Sequence, residues 1–309
     1  MERTKVTVIG SLNFDIIFKQ KRLPVTGETF PADSVSFCSG GKGANQAVQC
    51  AKLGLPVYMA GRVGEDTFGD TLLAAMKKYG VDTANVRRSR SNTGIAGVNS
   101  LEDGTLHSTL AVGANMDVTC GEIDQLEPLI LGSRILILQL EIPVPVVEYA
   151  IELAARSGVY VILNAAPARD ISAEALKKVN CLVVNEAEAS FYAGRTIESV
   201  EEAMQYGPEL LARIGETLII TLGAQGAVLF NRNGARHYPP VNTDIVVETT
   251  GAGDSFVGGF AYGKYHGQPD EEACILAGKA SAVTIRSIGA QDAMPELKEL
   301  LTDEEKGDE

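Results

Sequence analysis

Six short, almost wholly apolar runs recur along this chain: Val6–Ile9, Val57–Ala60, Ile135–Leu140, Val159–Leu163, Cys181–Val184 and Leu218–Thr221. Uninterrupted runs this short suit parallel strands buried on both faces. Between them lie amphipathic stretches of helical period, among them Ala44–Leu53, Thr67–Tyr79, Pro145–Ala155 and Ser199–Ile214. Strand and helix in alternation predict an α/β fold, a doubly wound and mostly parallel sheet flanked by helices. Hydrophobic residues make up 45% of the 309 and charged residues 22%, enough apolar material for one sizeable core. We read residues 1–309 as a single α/β domain.

Two segments break the rhythm. Residues 16–37 and 94–112 carry β-type patterning without intervening helices, with turn signals at Leu23-Pro-Val-Thr-Gly27 and Glu102-Asp-Gly104. They are expected to form a small added β-sheet, either a lid over a cleft or a decoration of the sheet edge. The end, Thr302–Glu309, reads as a solvated acidic tail.

Charge excludes some partners. Lys and Arg number 27 against 40 Asp and Glu, a net charge of −13. A chain this acidic lacks the footprint for nucleic acid or an anionic membrane, and its longest apolar stretch is too short to span a bilayer. Any phosphate must be held by backbone amides, a metal ion and a few chosen cations. The 5 cysteines and 3 histidines are scattered, with no C-x-x-C pair. Neither a zinc site nor a disulfide framework is expected. Reduced thiols and an N-terminal segment without a secretory pattern suit a cytoplasmic location.

Polar residues or glycines follow the strands. Asn13 and Asp15 come after the first, Glu141 after Leu140, Asn164 after Leu163, Asn185 after Val184 and Gly223 after Thr221-Leu222. In an open α/β sheet these strand ends share one rim, where ligands bind. Glycine is in excess, with 32 residues, and much of the excess sits in short clusters. Ser39-Gly40-Gly41-Lys42-Gly43-Ala44-Asn45 opens a helix with a dense donor set suited to a polyol, or is a tight turn with a surface lysine. It is no Walker loop, since neither Ser nor Thr follows the lysine. Gly258-x4-Gly263-Lys264 is a near-miss placed inside a helix.

Thr249-Thr250-Gly251-Ala252-Gly253-Asp254 leads into a small-residue helix. Successive amides at Gly251, Ala252 and Gly253 would make an anion hole at a helix N-terminus. Asp254 repels an anion, but fits there as the acceptor of a proton from a hydroxyl attacking phosphate; it could equally cap its own helix. Asn185-x-x-Glu188 reads as a capping box or as an organiser of Mg²⁺. Thr221-x-Gly223-x-x-Gly226 reads as a nucleotide contact or as a hairpin turn. A nicotinamide-dependent oxidoreductase would need G-x-G-x-x-G after a strand; Gly10 stands alone, and Gln46 replaces the last glycine after Gly41-x-Gly43. A noncatalytic sugar-binding protein would not need Asp254 beside an anion hole.

These motifs also stand in a familiar order. Gly10-Ser-Leu-Asn-Phe-Asp15, Gly40–Ala47, Gly64-x-Asp66-x-Phe68-Gly69, Thr93-Gly94, Gly113-Ala-Asn115, Asn164-x-Ala-Pro-Ala168, Asn185-x-x-Glu188, Thr221-Leu-Gly-x-x-Gly226 and Gly251–Asp254 run from end to end. The chain resembles the ribokinase family of carbohydrate kinases, of phosphofructokinase-B type. The Gly40–Ala47 string is more typical of its ribose-specific branch than of the fructose-, ketodeoxygluconate- or nucleoside-specific ones. The resemblance implies ATP-dependent phosphorylation of a sugar hydroxyl, with D-ribose to ribose 5-phosphate as the leading case; another pentose, a ketohexose or a nucleoside is the alternative. It makes Asp254 the base and the Gly251–Gly253 amides the oxyanion donors. Asn13, Asp15, Gly40, Gly41, Lys42, Gly43, Asn45 and Glu141 would hold the sugar. Asn185, Thr221, Gly223, Gly226, Gly253 and Gly278 would hold ATP, with Glu188 ordering Mg²⁺. Glu248, Thr250, Thr284, Ser287, Gly289 and Ala293 would hold K⁺, mostly by carbonyls, although Glu248 and Ala293 stand where Asp and Ser are usual. A homodimer through the lid sheet is implied as well. Phe14 and Gly97 depart in size from the family's usual residues and are expected to reshape the sugar pocket.

Overall fold

The computed structural model describes residues 3–102, 105–243 and 245–301; the acidic tail Thr302–Glu309 and Asp103-Gly104 of the second expected turn lie outside them. The chain passes through β1 (Lys5–Ile9), β2 (Asn13–Gln20) and β3 (Ser34–Gly40) to α1 (Lys42–Lys52). Next come β4 (Val57–Gly64), α2 (Thr67–Lys78), β5 (Asp82–Ser89), β6 (Gly94–Leu101) and β7 (Leu106–Ala111). Then follow α3 (Cys120–Leu131), β8 (Ser133–Gln139), α4 (Val144–Arg156), β9 (Tyr160–Asn164), the single turn α5 (Ala173–Leu176) and β10 (Cys181–Val184). Helices α6 (Glu186–Ala193) and α7 (Val200–Leu211) lead to β11 (Thr217–Thr221), β12 (Ala227–Asn231) and β13 (Gly234–Tyr238). The last elements are α8 (Ala252–Tyr265), α9 (Asp270–Thr284), α10 (Ala290–Ala293) and α11 (Leu297–Leu300).

All six apolar runs fall in one nine-stranded sheet of order β13-β12-β11-β10-β9-β8-β1-β4-β5. Pairs from β11 to β5 are parallel, and β12 and β13 add an antiparallel edge. Alternation within a strand feeds two cores. Leu136 and Leu138 join Ile123, Ile130, Val147 and Ile151 from α3 and α4 on one face. Ile135 and Ile137 join Ala44 and Val48 of α1 and Val257 and Phe260 of α8 on the other. Each such fully buried aliphatic side chain contributes roughly 1.5–3 kcal/mol, so truncation to Ala at Leu138 costs about 2–5 kcal/mol.

Strand order reverses between β1 and β8: the chain builds outward to β4 and β5 on one side, to β9, β10 and β11 on the other. A crevice opens at the carboxyl ends of strands at such a switch point.

Strands β2, β3, β6 and β7 make a separate sheet of order β3-β2-β6-β7. It is rooted by motif residues that carry no obvious chemistry. Asp66 caps α2 by accepting from Gly69 N at 2.8 Å and also accepts from Thr93 N at 2.8 Å, while Thr93 Oγ1 donates to it at 2.6 Å. Thr93 Oγ1 accepts in turn from Gly64 N at 2.9 Å. The start of β6 is thereby tied to α2 and the end of β4.

The expectation for Phe14 and Gly97 is corrected here. Phe14 faces away from Asn13 and Asp15 and packs on Phe68, ring centroids 4.6 Å apart, and Phe37, 6.1 Å. Gly97 pairs with Ile16 and Thr109, which by strand parity lie on the same side as Phe14. Both departures therefore act on the face of the small sheet opposite Asp15.

Candidate active site

Chain reversal between β1 and β8 brings Ser11, Asn13 and Glu141 together at the crevice. Glu141 Oε2 accepts from Ser11 Oγ at 2.5 Å and, at longer range, from Asn13 Nδ2 (3.4 Å) and Lys42 N (3.5 Å). Asn13 Oδ1 accepts from Asn115 Nδ2 at 2.7 Å, and Asn115 also bonds the backbone N and O of Leu12. Asp15 follows on β2 with its carboxylate against Gly40, where a Cβ would stand 2.1 Å from Asp15 Oδ2. Burial, then the charges of Glu141 and Asp254, push Asp15 up to about 7 against the opposing pull of Lys42.

Gly41 begins α1 at φ +90°, and a Cβ there would meet Asn13 N at 2.6 Å. Only glycine lets the helix start so close to β2. Gly43 has a packing place: a Cβ would stand 2.7 Å from Gly10 C, and its amide donates to Ser11 Oγ at 3.3 Å. Lys42 points among four carboxylates. Burial works against its charge, but Asp254, Glu141, Glu188 and Asp15 together outweigh it and raise its pKa.

Asp254 lies in the first turn of α8, buried, with both oxygens engaged. Oδ2 accepts from Asn45 Nδ2 at 2.9 Å and Oδ1 from Gln46 Nε2 at 2.9 Å. Burial raises its pKa, opposed by Lys42 and by these two amides. Asn45 Oδ1 accepts from Gln291 Nε2 of α10 at 3.1 Å. The carboxylate does not cap its own helix: Gly251 is the N-cap, at φ +82°, and α8 has no side-chain cap. A Cβ on Gly251 would press within 2.9 Å of Ala290 Cβ, whereas one on Gly253 would meet nothing within 4 Å. Ala252 N donates to Thr249 O at 3.2 Å, so that amide of the three is already engaged in the fold.

The other flank is built differently. Asn185 and Glu188 form a reciprocal capping box, Asn185 N donating to Glu188 Oε2 at 2.8 Å and Glu188 N to Asn185 Oδ1 at 2.9 Å. Glu188 keeps its second oxygen, and burial raises its pKa. Thr221 Oγ1 donates to Val184 O at 3.3 Å, and Gly223 and Gly226 bracket the turn from β11 to β12. A Cβ on Gly226 would stand 2.1 Å from Tyr238 O. Gly278 of α9 lies beside Val241, on the edge of a cavity of about 290 Å³ lined by Val241, Asn242, Ile245, Lys279, Val283 and Arg286 among others.

The model of pfkB family carbohydrate kinases matches residues 3–297. The chain belongs to the pfkB family of carbohydrate kinases. It is 37% identical to ribokinase of Schizosaccharomyces pombe over 96% of each chain, and 30% identical to deoxyribokinase of Salmonella typhimurium over 95% of this chain and 96% of that one. The structure of Arabidopsis thaliana ribokinase complexed with ribose and ATP is similar at TM-score 0.88 and 32% identity, covering 97% of this chain and 98% of that one. Family membership decides against the oxidoreductase and the noncatalytic binding protein.

In this kinase the residues expected around K⁺ come together as two joined loops. Val247 N donates to Ile285 O at 2.8 Å and Gly289 N to Glu248 Oε2 at 3.0 Å. Several oxygens of the expected set already serve the fold. Thr284 Oγ1 is shared between Ser255 Oγ (2.6 Å) and Ala280 O (2.9 Å), and Gly289 O accepts from Ala293 N at 3.0 Å. Among the described residues no three His, Cys, Asp or Glu cluster as metal ligands. Nor is any described helix long and apolar enough to cross a membrane. Lys264 of the near-miss Walker sequence pairs with Asp270 at 2.7 Å, inside the fold.

The motifs contain Ser11, Gln46 and Asn115 without assigning them a role, and Gln139 and Gln291 lie outside the motifs. Ser11, Gln46, Asn115 and Gln291 each bond a residue expected in the site, and Gln139 bonds Gln46. Their one signal is polarity at positions where an apolar residue would complete a helix or strand face.

Proposed function

We propose that this kinase transfers the γ-phosphoryl group of ATP to D-ribose, giving ribose 5-phosphate. The observation that carries the reading is Asp254: a buried carboxylate one residue beyond the open amide of Gly253, facing Lys42, Asn45 and the Asn13–Asp15 strand. A hydroxyl of a sugar held by Asn13, Asp15, Lys42, Asn45 and Glu141 would lie between that carboxylate and the helix N-terminus. Asp254 takes its proton as the oxygen attacks in line, and the Gly251 and Gly253 amides with the helix dipole stabilise the charge that spreads over the transferring group. Lys42 adds a fixed cation beside the same atoms. The second sheet, rooted at Asp66 and Thr93, closes over the sugar and excludes water.

ATP fits the glycine-lined flank from Gly223 and Gly226 to Gly278, with the base against Val241 and α9. Glu188, with one free carboxylate oxygen, suits Mg²⁺, which keeps most of its waters and binds chiefly to phosphates; bound there it would supply charge neutralisation. Glu248 and the carbonyls of the 284–293 loop suit K⁺, which would brace the loop beneath the anion hole. Pairing of two copies through the second sheet is supported by exposed Phe18, Val35 and Phe37 on its β2–β3 face.

An ADP-release panel over ribose, deoxyribose, fructose, tagatose, nucleosides and ketodeoxygluconate tests the assignment. Ribose should give the highest kcat/KM, and more in K⁺ than in Na⁺. A preference for deoxyribose or a nucleoside overturns the substrate, and equal rates in both salts remove the K⁺ site.

A further inference from the structure

Gln46 and Gln139 are completely buried, and nothing in the proposed sugar or nucleotide contacts calls for them. A primary amide in such a place is costly unless its groups are paired. Gln46 uses every group it has. Its Nε2 donates to Asp254 Oδ1 at 2.9 Å and to Asn164 Oδ1 at 3.0 Å, and its Oε1 accepts from Gln139 Nε2 at 2.6 Å. Asn164 cannot be turned over, because its Nδ2 donates to Val183 O at 3.2 Å. Rotated by half a turn, Gln46 would present its carbonyl to two acceptors and its N–H groups to a donor, losing all three bonds. The direction of the amide is therefore fixed from both sides.

The far end shows what this arrangement costs. Gln139 Oε1 is buried with no hydrogen-bond partner, and it fits only because residue 10 is glycine: a Cβ on Gly10 would stand 1.8 Å from that oxygen. A fold seeking stability alone would place an apolar residue at 139. Gln139 instead leaves its carbonyl unpaired in order to direct an N–H at Gln46.

We propose that Gln139 and Gln46 are positioning residues for phosphoryl transfer, a one-way amide relay that holds the Asp254 carboxylate in a single orientation beneath the anion hole. The inference rests on Asp254 being the base. Gln46 fixes one oxygen from the β8–β9 side, and Asn45, backed by Gln291, fixes the other. A carboxylate so held needs no reorganisation when the sugar hydroxyl arrives.

The test is a double-mutant cycle on the full-length enzyme, with ADP release measured on D-ribose. Gln46→Glu keeps the side chain's shape but turns an oxygen toward Asp254; kcat should fall at least ~10-fold, the loss expected for a hydrogen bond to a charged group, with sugar KM within about twofold. In an Asp254→Asn background the same change should cost little, since no base is left to position and the carboxylate introduced by the first substitution can accept from the amide introduced by the second. Gln139→Met, which adds no charge and removes the unpaired carbonyl, should lower kcat by several-fold with Tm unchanged; it is run through the same cycle in case Gln46→Glu does not fold. Equal fold-losses in the two backgrounds, or a Gln139→Met kcat within twofold of wild type, overturn the relay. Near wild-type turnover by Asp254→Asn alone overturns the base assignment instead.

Discussion

The two flanks of the crevice are made of different materials. The flank holding Asn13, Asp15, Lys42, Asn45 and Glu141 is built from side chains: Asn13, Asn45 and Glu141 are buried and bonded, down to Asn115 and Gln291 behind them, and Asp15 and Lys42 are half-buried charges beside them. The flank running from Gly223 to Gly278 is built from backbone and open space, with exposed Ile245, Val246 and Val247 beside it. A sugar is told from its isomers by the direction of each hydroxyl, which demands fixed donors and acceptors. A polyphosphate is recognised by charge and by amides that any residue supplies. The first task constrains side chains and the second constrains the absence of them.

Asp254, where the flanks meet, should show the largest effect. Asp254→Asn is expected to lower kcat by at least ~100-fold, the low end for losing a general base, while both KM values change little in an ADP-release assay. Lys42→Ala removes a half-buried cation that feels four carboxylates, and should raise KM for the sugar ~10-fold or more with a smaller effect on ATP. The reverse pattern would move Lys42 to the nucleotide flank and blur the contrast between the two. Gly253→Ala places a methyl into space that no protein atom occupies, at a helical position where Ala is favoured by ~0.5–1 kcal/mol. Tm should hold or rise while kcat/KM for ATP falls about tenfold, a penalty for adding a side chain where the flank works by lacking one.

The smallest effect concerns pH. An unfolded aspartate titrates near ~3.9, whereas Asp15 in the fold is pushed up to about 7. Between those values the folded chain keeps a proton that the unfolded chain has released, so stability from this group falls as pH rises through that window. Asp15→Asn abolishes the penalty. Its Tm advantage over wild type should be larger at pH 8 than at pH 5, and thermal melts at the two pH values check the sign.

The same contrast decides what could be read from the sequence. The strands of the main sheet were legible because β8 and its neighbours are buried on both faces and must be apolar throughout. The edge strands β5 and β13 were not, since exposure dilutes the apolar pattern. Helix α3 was hidden by Pro128 and Gly121 within it, and is started by a capping box, Thr119 with Glu122. Within the crevice, Asp254 and the Asn13–Asp15 pair announced themselves as polar residues at strand and helix ends. Gln46, Gln139 and Gln291 did not. Their partners lie 208, 93 and 246 residues away, and no local pattern records a contact of that span. Phe14 shows the converse: its size was noticed, but the face it occupies follows from a pairing register that only the assembled sheet fixes.

That longest span has a consequence for how the enzyme comes into being. Gln291 braces Asn45, Gln49 donates to Pro295 O at 3.1 Å, and Lys52 reaches the carbonyls of Gln291, Asp292 and Met294. Helix α1 is thus fastened to a stretch 246 residues further along the chain. A chain made from its N-terminus on the ribosome can lay down β1, α1 and the small sheet early, but the last brace of the base must wait for residues around 291–295 to emerge. Translation that stops short of them leaves Asn45 without its brace from Gln291 and the base unfinished, so turnover waits for that stretch.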